Sequence, residues 1–390
     1  MKHIFTIPIM LLMTIALSDL KAGDLGDMYE LDWEMNKDLE NEPFMFSYNR
    51  VEGFFLGFGV PKEFKDSYGM GSRLTFYGFL GYGLSNDRSS YRAGLTRKFF
   101  RRNSFEFGAE LFDLTQSEDL WVIPRHENSF TALLFHEDYF DYYRKSGSSV
   151  YGIQNIGRLL NIEGGYMEEK HTDMSVEKDW SLFRQSKAFR DNPAVTEGIY
   201  KNTYLVVRTG SSRALRNWDA EIQAEWNSTL FDDEMPSYER YIISVSRYQP
   251  LGRNDDINFR VRYGTTSGSV PLQKKFDLGG IGSLRGYEYK EFQDGDKMAM
   301  LNVEYTTDGE EISGLDFLPI FDDYLVALFM DAGVVWSDKR DLPDRSEFMR
   351  NIGVGIGSKD EGFRINFAKP LDGPEDEREI VVSVRLNKMF

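Results

Sequence analysis

The sequence predicts an all-β protein: a sixteen-stranded antiparallel transmembrane barrel. Three observations carry this. From Met45 onward, stretches of ten to fourteen residues alternate apolar and polar side chains, with turn residues between them. The C-terminal stretches set an apolar face against one of polar residues and glycine. The N-terminal apolar run, Ile4 to Leu17, falls short of the roughly 20 residues a spanning helix needs. Any lasting membrane contact must therefore come from strands.

Composition narrows the function classes. A mean hydropathy of -0.45 would suit a soluble protein, but strands that alternate lipid-facing and lumen-facing residues also average to near neutral. The net charge of -17 argues against nucleic acid, whose phosphates need a basic surface. The absence of cysteine excludes disulfides, thiolate nucleophiles and cysteine zinc sites. Lys2 and His3, the apolar run and the small Ala22 form the three regions of a secretory signal peptide over 1–22, although Leu20 departs from the usual small residue near the cleavage site. Residues 23–44, with Asp24, Asp27, Glu30, Asp32 and Glu34, read as a short polar periplasmic extension, and 45–390 as the barrel.

Fifteen strands follow from the period-two pattern: 46–59, 71–83, 89–100, 103–115, 149–157, 160–171, 198–211, 217–230, 238–249, 256–267, 297–307, 324–336, 347–358, 362–369 and 378–389. Residues 217–227 are the clearest, with Trp218, Ala220, Ile222, Ala224 and Trp226 against Asp219, Glu221, Gln223 and Glu225. Bacterial barrels have even strand counts, so a sixteenth is expected in 172–197 or before Met45. Within 116–148, Asn128 is positioned to cap a helix from Ser129 to Lys145, with Phe130, Leu133, Leu134, Phe140 and Tyr143 on one stripe. Such a helix would cover a barrel mouth or meet the membrane surface or a partner.

Leu278-Gly279-Gly280-Ile281-Gly282-Ser283-Leu284-Arg285-Gly286-Tyr287 is followed by Phe329-x-Asp331-x-Gly333 two strands later, by Ala368-Lys369-Pro370-Leu371, and by a terminal Phe390. In this order these motifs resemble the outer-membrane assembly superfamily typified by BamA, also called the bacterial surface antigens. The match is good over about 255–390, and Asn49-Arg50-Val51-Glu52-Gly53 fits a first strand. The resemblance implies a barrel in the outer membrane of a Gram-negative-type bacterium, whose sixth extracellular loop folds into the lumen and carries Arg285. Such an arginine needs carboxylates on the wall, because a buried unpaired charge is costly. Asp331 and Glu304 lie on the polar faces of their strands, and the superfamily places acidic partners at those two positions. The expected lock is an Arg285–Asp331 pair with Glu304 nearby. Gly279, Gly280, Gly282 and Gly286 would let the loop turn tightly, and Tyr287 would stack near Gly333 or Gly355. The first strand, near Tyr48–Gly59, and the last, Ile380–Phe390, would meet at a seam. Val382, Val384, Leu386 and Phe390 would form that edge and a C-terminal assembly signal.

Relatives usually carry repeated periplasmic domains, and some a lipase. Neither is recognisable here, and no Gly-x-Ser-x-Gly occurs. His126, His136 and His171 lack a metal-ligand spacing, so no catalytic site, metal or cofactor is expected. Three functions remain: an insertase or translocase for unfolded barrel clients, a pore or lipid-handling barrel, and a structural or homo-oligomeric barrel docking a separate periplasmic partner. Outer-membrane lipid surrounds the protein in each.

Overall fold

The computed structural model describes residues 43–60, 62, 74–100, 103–157, 159–184, 186–209, 217–227, 237–252, 255–308, 324–337, 343–358, 363–374 and 378–385. The signal peptide, nearly all of the polar extension, Leu386 and Phe390 lie outside the described residues.

The strands are β1 (Phe44–Asn49), β2 (Gly53–Val60), β3 (Leu74–Gly83), β4 (Arg88–Phe99), β5 (Phe105–Gln116), β6 (Tyr143–Ile156), β7 (Leu160–Asp173), β8 (Gly198–Thr209) and β9 (Trp218–Asn227). They continue with β10 (Tyr238–Pro250), β11 (Asp256–Gly268), the short β12 (Phe276–Leu278) and β13 (Phe292–Gly295), then β14 (Lys297–Asp308), β15 (Tyr324–Trp336), β16 (Met349–Ser358), β17 (Arg364–Pro370) and β18 (Val381–Arg385). Sixteen of them form one antiparallel sheet in chain order, while β12 and β13 pair separately as a hairpin within one loop. Among the described residues no ladder joins the sheet's edges, β1 and β18.

The alternation reads directly as inside and outside. On β15, Ala327, Phe329 and Asp331 are buried while Leu328 and Met330 are exposed. On β16, Asn351 is buried and Ile352, Val354 and Ile356 are exposed. On β14, Asn302, Glu304 and Thr306 all face inward. A sheet with its polar face buried and its apolar face exposed is inverted relative to a soluble protein, and hydrocarbon is the solvent that stabilises it.

The sixteenth strand lies in neither expected place. The stretch 46–59 is a hairpin, not one strand. Asn49 closes its turn: its Oδ1 accepts the N–H groups of Val51 (3.0 Å) and Glu52 (2.7 Å). An asparagine side chain imitates a backbone turn in this way, and Gly53 follows in the left-handed region at φ 63°. Continuous polarity across 46–59 hid a reversal that takes only three residues, so the first strand is 44–49.

The helix also differs. It is α1 (Arg125–Phe135), entered after Pro124 and ended by His136 in the left-handed conformation. Asn128 is inside it: its Nδ2 donates to Asp138 Oδ1 (2.9 Å) and its Oδ1 accepts from Tyr139 N (2.7 Å). The proposed stripe does not form, because Tyr143 to Lys145 already belong to β6; the helix buries Glu127, Asn128, Thr131 and Ala132 instead.

Antiparallel order brings the turn 50–52 and the loops 117–142, 174–197 and 269–296 to one end of the sheet. They share an apolar cluster of Val51, Val122, Ile123, Phe140, Met174 and Ile281. The loop containing α1 thus covers that mouth. Leu328, exposed at 49% on the outer face, tests the membrane assignment. Leu328→Lys should destabilise the barrel in vesicles by about 2–4 kcal/mol if it lies near the bilayer midplane. A change within about 0.5 kcal/mol, as at a water-exposed site, in urea unfolding would contradict a lipid-facing position.

Candidate functional site

The 269–296 loop leaves β11, makes the β12–β13 hairpin at its base and sends residues 279–291 along the inner wall. Its tip is held by its own backbone: Gly280 N donates to Leu284 O (2.9 Å), and Tyr287 N to Leu284 O (3.1 Å). Gly279, Gly280 and Gly282 have positive φ. Gly282 matters most, since at φ 76° an added Cβ would also sit 2.2 Å from the Val122 carbonyl oxygen of the neighbouring loop. At Gly286 the constraint is proximity, with an added Cβ 2.5 Å from Asn351 on β16.

Between these glycines, Arg285 is 2% exposed. Its Nε and Nη2 donate to the two carboxylate oxygens of Asp331 on β15 (2.9 and 2.8 Å), and its Nη1 to Glu304 on β14 (2.6 Å). The Arg285 backbone N–H adds a bond to Asp331 Oδ2 (3.1 Å). The guanidinium carbon lies 3.6 Å from the centroid of the Phe329 ring, a stacked cation–π contact. Parity alone puts Phe329, Asp331 and Gly333 on one inward face, so the F-x-D-x-G spacing supplies ring, carboxylate and clearance from one strand.

Three residues complete the network without having been singled out from the sequence. Asn302 Nδ2 donates to Asp331 Oδ1 (2.8 Å) and to Ser283 O (2.7 Å), and Asn351 Nδ2 donates to Asp331 Oδ2 (2.8 Å). Arg364 on β17 donates to the other Glu304 oxygen at 2.6 Å. Two arginines and two carboxylates therefore balance, and each carboxylate accepts several donors, which is how a buried charge is tolerated. Inward parity would have flagged both asparagines. Nothing in the pattern distinguishes Arg364 from other strand arginines.

Tyr287 is not where expected. Its ring packs on Phe292 (5.2 Å between centroids) and its hydroxyl donates to Arg350 O (3.0 Å). The space over Gly333 is taken by Leu278 and Leu284, and the ring against the glycine wall is Phe329, over Gly353. Apolar loop residues fill the widest clearance first, since a tyrosine must keep its hydroxyl near an acceptor. Val382 and Val384 lie on β18, Val382 facing outward. His136 bonds Asp179 and Ser181, and His171 bonds Glu169 and Gln273.

A second charge cluster ties this loop to its neighbours. Lys290 Nζ meets Asp119 (2.7 Å), Asp141 (2.7 Å) and Asp277 (3.1 Å). Burial disfavours its charge, but Asp119 and the other anions outweigh this and hold the Lys290 ammonium well above its ordinary range. Three carboxylates share one ammonium, so they do not fare alike. Burial, only partly offset by Lys290 and reinforced by Asp141 and Asp277, pushes Asp119 up to about 6. Asp141 goes down, because Lys290 and Arg190 outweigh its burial.

The Omp85 superfamily domain matches residues 67–390. The outer membrane protein assembly factor BamA of Nitratidesulfovibrio vulgaris is 30% identical over 151 residues, which span 35% of this chain and 18% of that protein. The chain thus matches less than a fifth of that relative's length. The crystal structure of BamA from Haemophilus ducreyi lacking POTRA domains 1–3 superimposes with a TM-score of 0.54 at 16% identity, covering 87% of this chain and 69% of that one. At that identity the likeness is one of fold.

Two outcomes are expected. Arg285→Ala leaves Asp331 and Glu304 buried against Arg364 alone and should cost about 3–5 kcal/mol in urea unfolding. Arg285→Lys should recover little, because an ammonium cannot reproduce the fork. The second concerns pH. Because the folded-state pKa of Asp119 is raised, its ionisation opposes folding above about 6, and that opposition is relieved as pH falls toward its unfolded value. Amide exchange across 119–141, corrected for intrinsic rates, should slow between pH 7 and pH 5, and Asp119→Asn should remove the difference.

Proposed function

The chain belongs to the Omp85 superfamily, and from that premise we propose that this outer-membrane barrel inserts or translocates other polypeptides through the seam between β1 and β18. The observation that carries the reading is the state of that seam. Among the described residues no ladder joins β1 to β18. An edge strand presents a row of N–H and C=O groups that an incoming strand can extend. A seam without that ladder also leaves the adjacent bilayer poorly matched and thinned, which lowers the barrier to insertion.

Arg285 serves this mechanism by pinning the lumen loop to β14 and β15 and, through Glu304, to β17. Opening is then confined to the seam, since the wall beside it is cross-braced. An open pore fits less well, because the loops at the mouth enclose apolar clusters and paired charges. Neither a catalytic residue nor a cofactor enters the mechanism.

The test is to reconstitute the protein in liposomes and time the folding of an added unfolded outer-membrane barrel. Wild type should accelerate folding several-fold over empty liposomes, a change of about 1 kcal/mol in barrier, and Arg285→Ala should lose the acceleration. Ion leakage without acceleration would make the protein a pore and defeat the proposal.

A further inference from the structure

The face each residue takes on the two edge strands fixes where α1 lies. On β1, Phe44 and Phe46 are exposed while Met45, Ser47 and Asn49 are buried; strand parity puts Tyr48 with Phe44 and Phe46, although its own side chain is fully covered. On β18, Val382 is exposed and Arg385 is buried, so Arg385 points into the lumen. α1 touches both. Near its start, Glu127 Oε1 accepts from Arg385 Nε at 2.9 Å. Two residues on, Ser129 Oγ accepts the backbone N–H of Tyr48 at 2.7 Å. A strand amide faces one neighbour only, and that of Tyr48 faces away from β2, toward the open edge. One turn further, Ala132 and Leu133 pack with Phe189 and Phe54 around the outward Tyr48 ring.

The helix therefore begins against a lumen-facing side chain and ends against one on the outer side of β1, which the helix and Phe189 bury. It runs along the open edge of β1 and reaches β18 through Arg385. A helix is about 10 Å across and paired strands lie about 4.8 Å apart, so at this level helix and ladder exclude each other. The outer end is secured as well. Leu182 N and Phe183 N donate to the Leu133 and Leu134 carbonyls (2.8 and 3.0 Å), and the Tyr48 hydroxyl donates to Trp180 O. Phe130, Leu182 and Phe183 remain exposed there, on the same side as the apolar outer face of β1 and β2.

We propose that α1 is a plug in the seam. Its Ser129 hydroxyl takes the place that a strand carbonyl would occupy on the β1 edge, so the plug competes with an incoming strand. It must withdraw before β1 can pair with β18 or a client. The last step rests on the insertase reading above; occupancy of the seam does not.

The chain has no cysteine, so introduced thiols are unique. Ala132→Cys, wholly buried in the seam, should react slowly with a maleimide in vesicles. Adding Glu127→Ala and Ser129→Ala should speed the reaction about tenfold, because two bonds holding the plug are lost. Equal rates would overturn the plug. Should that triple variant not fold, Ser129→Ala alone keeps the test, with a smaller acceleration expected and none overturning the proposal. Independently, Tyr48→Cys with Ser129→Cys should be joined by a short bis-maleimide within one chain, and failure to cross-link would overturn the placement. The linked protein should no longer accelerate folding of an added unfolded barrel, whereas the unlinked double variant should. Acceleration in both states would overturn the plug as a competitor. Acceleration in neither would defeat the insertase reading, with the plug still decided by the labelling rates.

Discussion

The structure depends on a guanidinium that cannot shed its charge, held where water does not reach. Arg285 stays buried because Asp331 and Glu304 meet four of its donors, and Asn302, Asn351 and Arg364 supply further donors to those carboxylates. Each contact crosses from one strand or loop to another, so the constraint fixes the loop depth and the relative positions of β14, β15, β16 and β17 together. Removing one member exposes all the others to the desolvation cost.

The remaining lumen chemistry follows from the loop being there. Once residues 279–291 lie along the wall, their backbone needs close neighbours, and Gly282 against Val122 brings the 117–142 loop down to them. Lys290 then sits among Asp119, Asp141 and Asp277, while Lys274 joins Glu118 and Glu225 at 2.9 and 3.2 Å. The mouth is closed by ion pairs between loops and not by a single lid. The one element left over, α1, is directed out through the only discontinuity in the sheet's described pairing.

Much of this was legible in the residues. Period-two alternation located every long strand to within a few residues, with β6 starting six residues before its expected position, and it put Asp331 and Glu304 on the lumen face. It did not reveal the 49–53 turn. Asn49 and Gly53 carried the signal, but three turn residues barely interrupt an alternating pattern. Helix placement failed for a different reason. Asn128 has the chemistry of a cap, yet its side chain has stronger claims from Asp138 and Tyr142, which approach only in the folded loop.

What the sequence determined by itself is therefore local or one-dimensional: which stretches are strands, which face of each is apolar, and which charges look inward. Side-chain direction alternates with every residue, so it can be read without knowing the partner. What only the tertiary structure decided is which elements meet across the barrel. The Glu127–Arg385 bond joins residues 258 positions apart. No periodicity reaches that far, since such a contact depends on how sixteen strands curve round and where the lumen still has room. The lock's carboxylates could be anticipated from parity and its arginine loop from the resemblance, whereas the place of α1 beside the seam emerges only from the folded chain.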